Sequence, residues 1–169
     1  TSRGCPYQCS FCLSRSVYGS QLRLRSPLKV GDEIESCIRQ FGIRNFFLRA
    51  DTFTANKTWC IAICREIVRR NLEIEWVTTA HVDALCEERL SWMKRAGCRL
   101  VSLGIESGDN AILNRVKPNV TVDSIKKSVA LLKSHKIQIY GFFIIGFPWD
   151  TESSVKATVD LMFGLDPDF

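Results

Sequence analysis

Residues 98–106 read CRLVSLGIE, residues 120–135 VTVDSIKKSVALLKSH and residues 137–146 IQIYGFFIIG. The outer two are apolar runs of strand length. Between them Val122, Ile125, Val129 and Leu132 recur at helical spacing, behind a threonine, Thr121, whose hydroxyl suits a helix N-cap. Strand, helix, strand with short connections is satisfied by two parallel neighbours joined through a crossover helix. The last run is apolar on both faces, which predicts a strand covered on both sides.

The same unit recurs upstream. GDEIESCIRQF (31–41) puts Ile34, Cys37, Ile38 and Phe41 on one helical face and ends at Gly42. The strand IRNFFLRA (43–50) follows, then Asn56 as the cap of a helix whose inner face is Cys60, Ile63, Cys64, Ile67 and Val68. LEIEWVTT (72–79) is a strand, EERLSWMKRA (87–96) a helix ending at Gly97, and TESSVKATVDLMF (151–163) the closing helix. Alternation of this kind predicts a single α/β domain over residues 1–169, with helices covering a parallel sheet or barrel wall. Both ends look cut: the N-terminal cysteines stand where a preceding strand belongs, and LDPDF (165–169) resembles the approach to a following one.

Composition narrows the class. Hydrophobic residues at 46% and charged residues at 24% describe a folded globular chain. Eight cysteines would suit a disulfide scaffold, but 169 residues with regular apolar segments need no staples. No signal peptide opens the sequence, and the longest apolar run, IYGFFIIGF (139–147), is far below membrane-spanning length. A reducing cytoplasm is the expectation, with cysteines kept as thiols or metal ligands. The net charge of +5 is mild. Arg15, Arg23, Arg25 and Lys29 cluster without interleaved aromatics, so they read as solvated and nucleic acid is not an expected partner.

GCPYQCSFC (4–12) crowds Cys5, Cys9 and Cys12 into the spacing C-x3-C-x2-C, and Pro6 discourages a regular helix there. A structural zinc site would ask for a fourth protein ligand. Cys37, Cys60 and Cys64 lie on core faces, Cys86 and Cys98 at element ends, and the sequence does not place His81 or His135 near the loop. Three thiolates without a fourth suit a [4Fe–4S] cube in which each cysteine holds one corner and one iron stays open.

CPYQCSFC, with an aromatic before its third cysteine, resembles the signature of the radical S-adenosylmethionine superfamily, and the similarity runs from TSRGCPYQCSFC to GFFIIGFPWDT. That resemblance implies a partial (β/α)6 TIM-like barrel of parallel strands. It implies two cofactors, a [4Fe–4S] cluster on Cys5, Cys9 and Cys12 and S-adenosylmethionine bound to the open iron by its amino and carboxylate groups. A reductant such as flavodoxin or ferredoxin supplies one electron, and the resulting 5′-deoxyadenosyl radical takes hydrogen from a substrate the sequence does not identify. Cofactor contacts are expected at C-terminal strand ends. Phe11 would flank the adenine. Asp51, in LRADTF, would accept from the ammonium group, although RADT departs from the family's glycine-rich motif and a turn aspartate reads equally well. Glu106 would meet the ribose hydroxyls, with Ser102 on the same face. Arg115 or Lys117 would pair with the cofactor carboxylate, Lys117 preferred, and Gly146 would line the wall beside the adenine. His81 falls at another mouth position, facing substrate or packed into a turn. SRGCPYQCSFC, ADTFT and GFFIIGFPWDT are most similar to the subgroup whose members carry an upstream cobalamin-binding domain, so cobalamin enters as a third cofactor through a domain outside this chain. Methyl transfer, rearrangement and oxidation stay open. The alternatives are a tRNA-modifying methylthiotransferase and a noncatalytic metal-binding module.

Overall fold

In the computed structural model, which describes residues 1–169, four parallel strands form one sheet in the order β3 (Asn45–Phe47), β4 (Glu75–Ala80), β5 (Cys98–Glu106) and β6 (Gln138–Phe143). A separate antiparallel pair, β1 (Ser2–Arg3) with β2 (Arg23–Leu24), brackets the cysteine loop and the short helix α1 (Ser14–Tyr18). Helix α2 (Pro27–Phe41) leads into β3, the sheet strands are connected by α3 (Lys57–Arg69), α4 (Glu87–Arg95), and α5 (Asn110–Val116) with α6 (Val122–Ser134), and α7 (Glu152–Leu165) comes last. This is the α/β architecture that the alternation predicts, with the wall of a barrel rather than a closed one.

The helices pack on one face of the sheet. Trp76, Val101, Leu103, Ile105 and Ile139 from the strands meet Ile63, Ile67, Leu113, Ile125 and Leu132 from the helices, all buried. Phe53 is fully buried between Trp59 and Trp76, its ring 5.3 Å from each. Each such aromatic pair adds about 0.5–1.5 kcal/mol beyond its area. Asn56 accepts from Trp59 N and Thr121 from Ser124 N, so both expected caps form, the second as a full capping box.

Three expectations are corrected. The first helix begins at Pro27, not Gly31, because Pro is pre-set for the opening turn behind Ser26; its C-terminal Phe41 is exposed, beyond the reach of α3. The strand at 43–50 shortens to Asn45–Phe47, since Arg49 N turns back to the Phe47 carbonyl. And β6 is not covered on both sides: Ile139 is buried on the helix face, while Tyr140 and Phe142 are exposed on the other, concave face together with Phe47. Each chain terminus hydrogen-bonds an edge strand region, Thr1 at the Arg49 carbonyl and Phe169 between Ile139 O and Gly141 N.

Candidate active site

The cysteine loop lies across the C-terminal ends of the strands. Its start is tied to the residues after β3: Gly4 N donates to Asp51 Oδ2 at 2.7 Å, and Cys5 Sγ lies 3.5 Å from Thr52 Oγ1. Gly4 sits at φ +88°, pressed against the Gln21 carbonyl, where a Cβ would have no room. The end of the loop is tied to α5, Ser10 N donating to the Val116 carbonyl at 2.9 Å. Asp51, read from sequence as a contact for the cofactor's ammonium group, thus holds the loop backbone by one carboxylate oxygen.

The end of β5 supplies a buried ion pair. Lys117 Nζ lies 3.1 Å from Glu106 Oε1 and donates to the Gly104 carbonyl at 2.6 Å. Lys117 is 3% and Glu106 6% exposed. Glu106 is at φ +68°, after a register shift against β6 between Gly104 and Glu106. A left-handed non-glycine residue at a strand end is strain that the surroundings must hold in place. Gly104 makes the room: a Cβ there would overlap Glu106 Oε1 and lie 2.8 Å from Lys117 Nζ. Glu106 Oε2 receives no protein hydrogen bond. The rest of ESGD is structural, since Ser107 and Gly108 bond Thr158 of α7 and Asp109 caps α5.

The two halves meet through charge as well as through Ser10. Burial pushes the Cys9 thiol up, opposed by the Lys117 cation and reinforced by Glu106, Cys12 and Cys5. His81 is buried, and its ring stacks on Tyr7 with centroids 3.6 Å apart and planes 7° from parallel. Desolvation, helped by Lys117, lowers its pKa to about 3, so the imidazole is neutral. Nδ1 accepts from Asp83 N, leaving the proton on Nε2. Of the alternatives for His81, the packed turn residue is what the geometry supports.

The remaining sequence candidates are spread around this centre. Phe11 is exposed and tilts against Phe147 at 5.9 Å. Ser102 is half-buried beside Tyr140 on the concave face. Arg115 lies over the Trp149 ring at 5.2 Å. Gly146 has φ +104° and its N–H, like that of Phe147, donates to Asp150 Oδ2; no protein atom lies within 4 Å of its Cβ position, so backbone conformation rather than crowding calls for glycine.

Cys5, Cys9 and Cys12 are free thiols, the first two half-buried and the third exposed. No three His, Cys, Asp or Glu side chains gather closely enough to hold a single metal ion. A cube asks for something else, one soft sulfur donor per iron, and three such donors on one short anchored loop meet that demand. The donor set therefore fits a [4Fe–4S] cluster.

A family model described as the Radical SAM superfamily matches residues 1–162. This chain belongs to that superfamily. Membership implies a [4Fe–4S] cluster and S-adenosylmethionine as cofactors. Among radical SAM relatives it is 35% identical over its whole length to an uncharacterized methyltransferase of Pyrococcus horikoshii, covering 37% of that protein. It is 32% identical over 99% of its length to the anaerobic magnesium-protoporphyrin IX monomethyl ester cyclase of Rubrivivax gelatinosus, covering 30% of that protein. The radical S-adenosylmethionine methyltransferase TsrM of Kitasatospora setae, solved with cobalamin and a [4Fe–4S] cluster, superposes with a TM-score of 0.91 at 25% identity, over 99% of this chain and 34% of TsrM. The chain thus spans about a third of the length of the curated relatives it matches. No helix is long and apolar enough to cross a membrane.

Sequence reading missed the Tyr7–His81 stack, because nothing local relates residues 74 positions apart. The Glu106–Lys117 pair was nearer to hand: a glycine two residues before a strand-end acid, on the same face, is the signal of a side chain needing clearance.

Proposed function

We propose that this chain is the catalytic core domain, residues 1–169, of a radical SAM methyltransferase that works with cobalamin carried elsewhere in the polypeptide. Its relatives named as methyltransferases, and the likeness to TsrM with its cobalamin, support that reaction over the cyclase's. The observation that carries the reading is the convergence of the cysteine loop with the Glu106–Lys117 pair through Ser10 and Val116.

Cys5, Cys9 and Cys12 would hold the cluster, which when bound supplies the electron for reductive cleavage of S-adenosylmethionine. The chain's own residues bind and orient. Glu106 offers an unused carboxylate oxygen, Oε2, to a ribose hydroxyl. Lys117 holds that carboxylate in place, and its remaining N–H would be offered to the cofactor carboxylate. Asp51 braces the loop by one oxygen and leaves Oδ1 for the ammonium group. Phe11 and the Gly146 turn flank the adenine, with Ser102 on the strand wall below. Arg115, engaged by Trp149, is left out of the carboxylate contact.

The electron comes from a small reduced carrier such as flavodoxin or ferredoxin, and eight cysteines without a disulfide suit a reducing cytoplasm. Anaerobic reconstitution tests the reading. The protein should take up about four irons per chain, and form 5′-deoxyadenosine from S-adenosylmethionine and reductant. With a methyl acceptor and cobalamin it should transfer the methyl group. Uptake of a single zinc and no 5′-deoxyadenosine would refute it.

A further inference from the structure

We infer that His81 is a positioning residue that fixes the middle of the cysteine loop by offering a flat ring to Tyr7. The inference rests on the proposed role of that loop as the cluster's holder. Backbone hydrogen bonds restrain the loop at its two ends, through Gly4 and Cys5 on one side and Ser10 and Cys12 on the other. Pro6, Tyr7 and Gln8, between the first two cysteines, make no backbone hydrogen bond. The Tyr7 hydroxyl has no protein partner either. What orients this stretch is the face-to-face stack on His81 at 3.6 Å.

His81 is itself immobilised. Its backbone N–H donates to Thr54 Oγ1 at 3.4 Å, and Nδ1 accepts from Asp83 N at 3.3 Å, closing the turn that follows β4. The platform therefore belongs to the rigid sheet and the stacked ring to the loop. Beside the stack lies a cavity of about 200 Å³ bounded by Tyr7, Gln8, Cys9, His81, Pro118 and Asn119. Without the ring the Tyr7–Cys9 stretch has space to swing into it, carrying the Cys9 thiol away from its place opposite Lys117. Because burial holds the imidazole neutral, the ring acts through shape and not through proton transfer.

Two substitutions at His81 separate this role from simple turn closure. His81→Phe keeps a flat ring and loses the acceptor for Asp83 N; His81→Asn keeps an acceptor and loses the ring. Each full chain is reconstituted anaerobically, then challenged with an iron chelator, and its reduced cluster is examined by electron paramagnetic resonance. The inference expects wild-type behaviour from His81→Phe. From His81→Asn it expects iron loss to the chelator roughly 10-fold faster, the scale of a lost outer-shell contact, and a broadened spectrum. Wild-type behaviour from His81→Asn, or equal damage in both variants, overturns it. Should His81→Asn fail to fold, Tyr7→Phe and Tyr7→Leu ask the same question from the loop side: only the leucine variant should lose iron, and a leucine variant that retains it overturns the inference. A wild-type chain that takes up no cluster overturns the reading of the loop and this inference with it, a result distinct from any pattern among the variants.

Discussion

Two carboxylates in this molecule sit beside cations and do opposite work. Glu66 on α3 is saturated: Arg69 reaches it with a two-pronged contact, Nε to Oε2 at 2.9 Å and Nη2 to Oε1 at 2.7 Å, and Arg70 Nε adds a third at 2.6 Å. Arg70 continues to Asp32 and Glu35 of α2, so the network staples two helices together. Glu106 at the strand mouth has one cation, one occupied oxygen and a left-handed backbone. A carboxylate whose oxygens are all spoken for is a fastener. Both are buried, but one that is strained and left with a free acceptor is held ready for something else.

The largest effect should come from breaking the pair at the mouth. Lys117→Met leaves the buried Glu106 carboxylate without its cation, a change that costs about 3–5 kcal/mol. Chemical denaturation should show that loss, and it should largely vanish when Glu106→Leu is added, because removing both charges leaves no unpaired one. A double variant as unstable as the single one would mean that packing around the lysine stem, not charge, is what the pair provides.

Gly104→Ala sharpens the same contrast without touching either charge. The new methyl would overlap Glu106 Oε1, and the carboxylate has nowhere to retreat while Lys117 is bonded to the Gly104 carbonyl. Overpacking of this kind costs about 1–3 kcal/mol. At the Glu66 network, a Cβ on Gly31 would lie 3.0 Å from the Arg70 guanidinium and from Glu66 Cγ, a tight contact but not the overlap met at Gly104. Gly31→Ala should therefore cost less than Gly104→Ala, measured by the same unfolding midpoints.

How much of this was readable beforehand follows from the reach of each signal. Helix caps at Asn56 and Thr121, the full span of β5 and the cysteine spacing are local, and local chemistry decides them. Glu106 was singled out because an acid at a strand end has few structural uses. The sequence points Lys117 at the cofactor carboxylate but does not show its bond to Glu106, since α5 lies between the two in the chain. The exposure of Tyr140 and Phe142 was missed for a related reason: an apolar run says which residues prefer burial, whereas the covering of a face depends on what stands opposite it. Arg115 shows the same limit, because its position over Trp149 depends on the loop after β6.

The smallest effect tests the fastener. Arg69, and after it Arg70, holds the Glu66 carboxyl down at about 2, below its ordinary value of 4.5. The folded pKa lies below the unfolded one, so the unfolded chain binds the proton first as pH falls. The contribution of Glu66 is complete above about pH 4.5 and is lost progressively as pH approaches 2. Glu66→Gln should cost about 1 kcal/mol near neutrality, because glutamine keeps an acceptor, Arg69 stands largely in solvent and Arg70 retains Asp32 and Glu35, and the penalty should shrink to nothing on the acid side of that window. Urea midpoints of the two proteins should converge between pH 4.5 and 2. Added salt should bring them closer at pH 7 as well, because Arg69 is largely solvated and its charge is screened. The Lys117 variant should show little of that salt response, since its pair lies where counterions do not reach. If salt moved both variants alike, the division between a fastener with a solvated cation and a poised mouth carboxylate would fail.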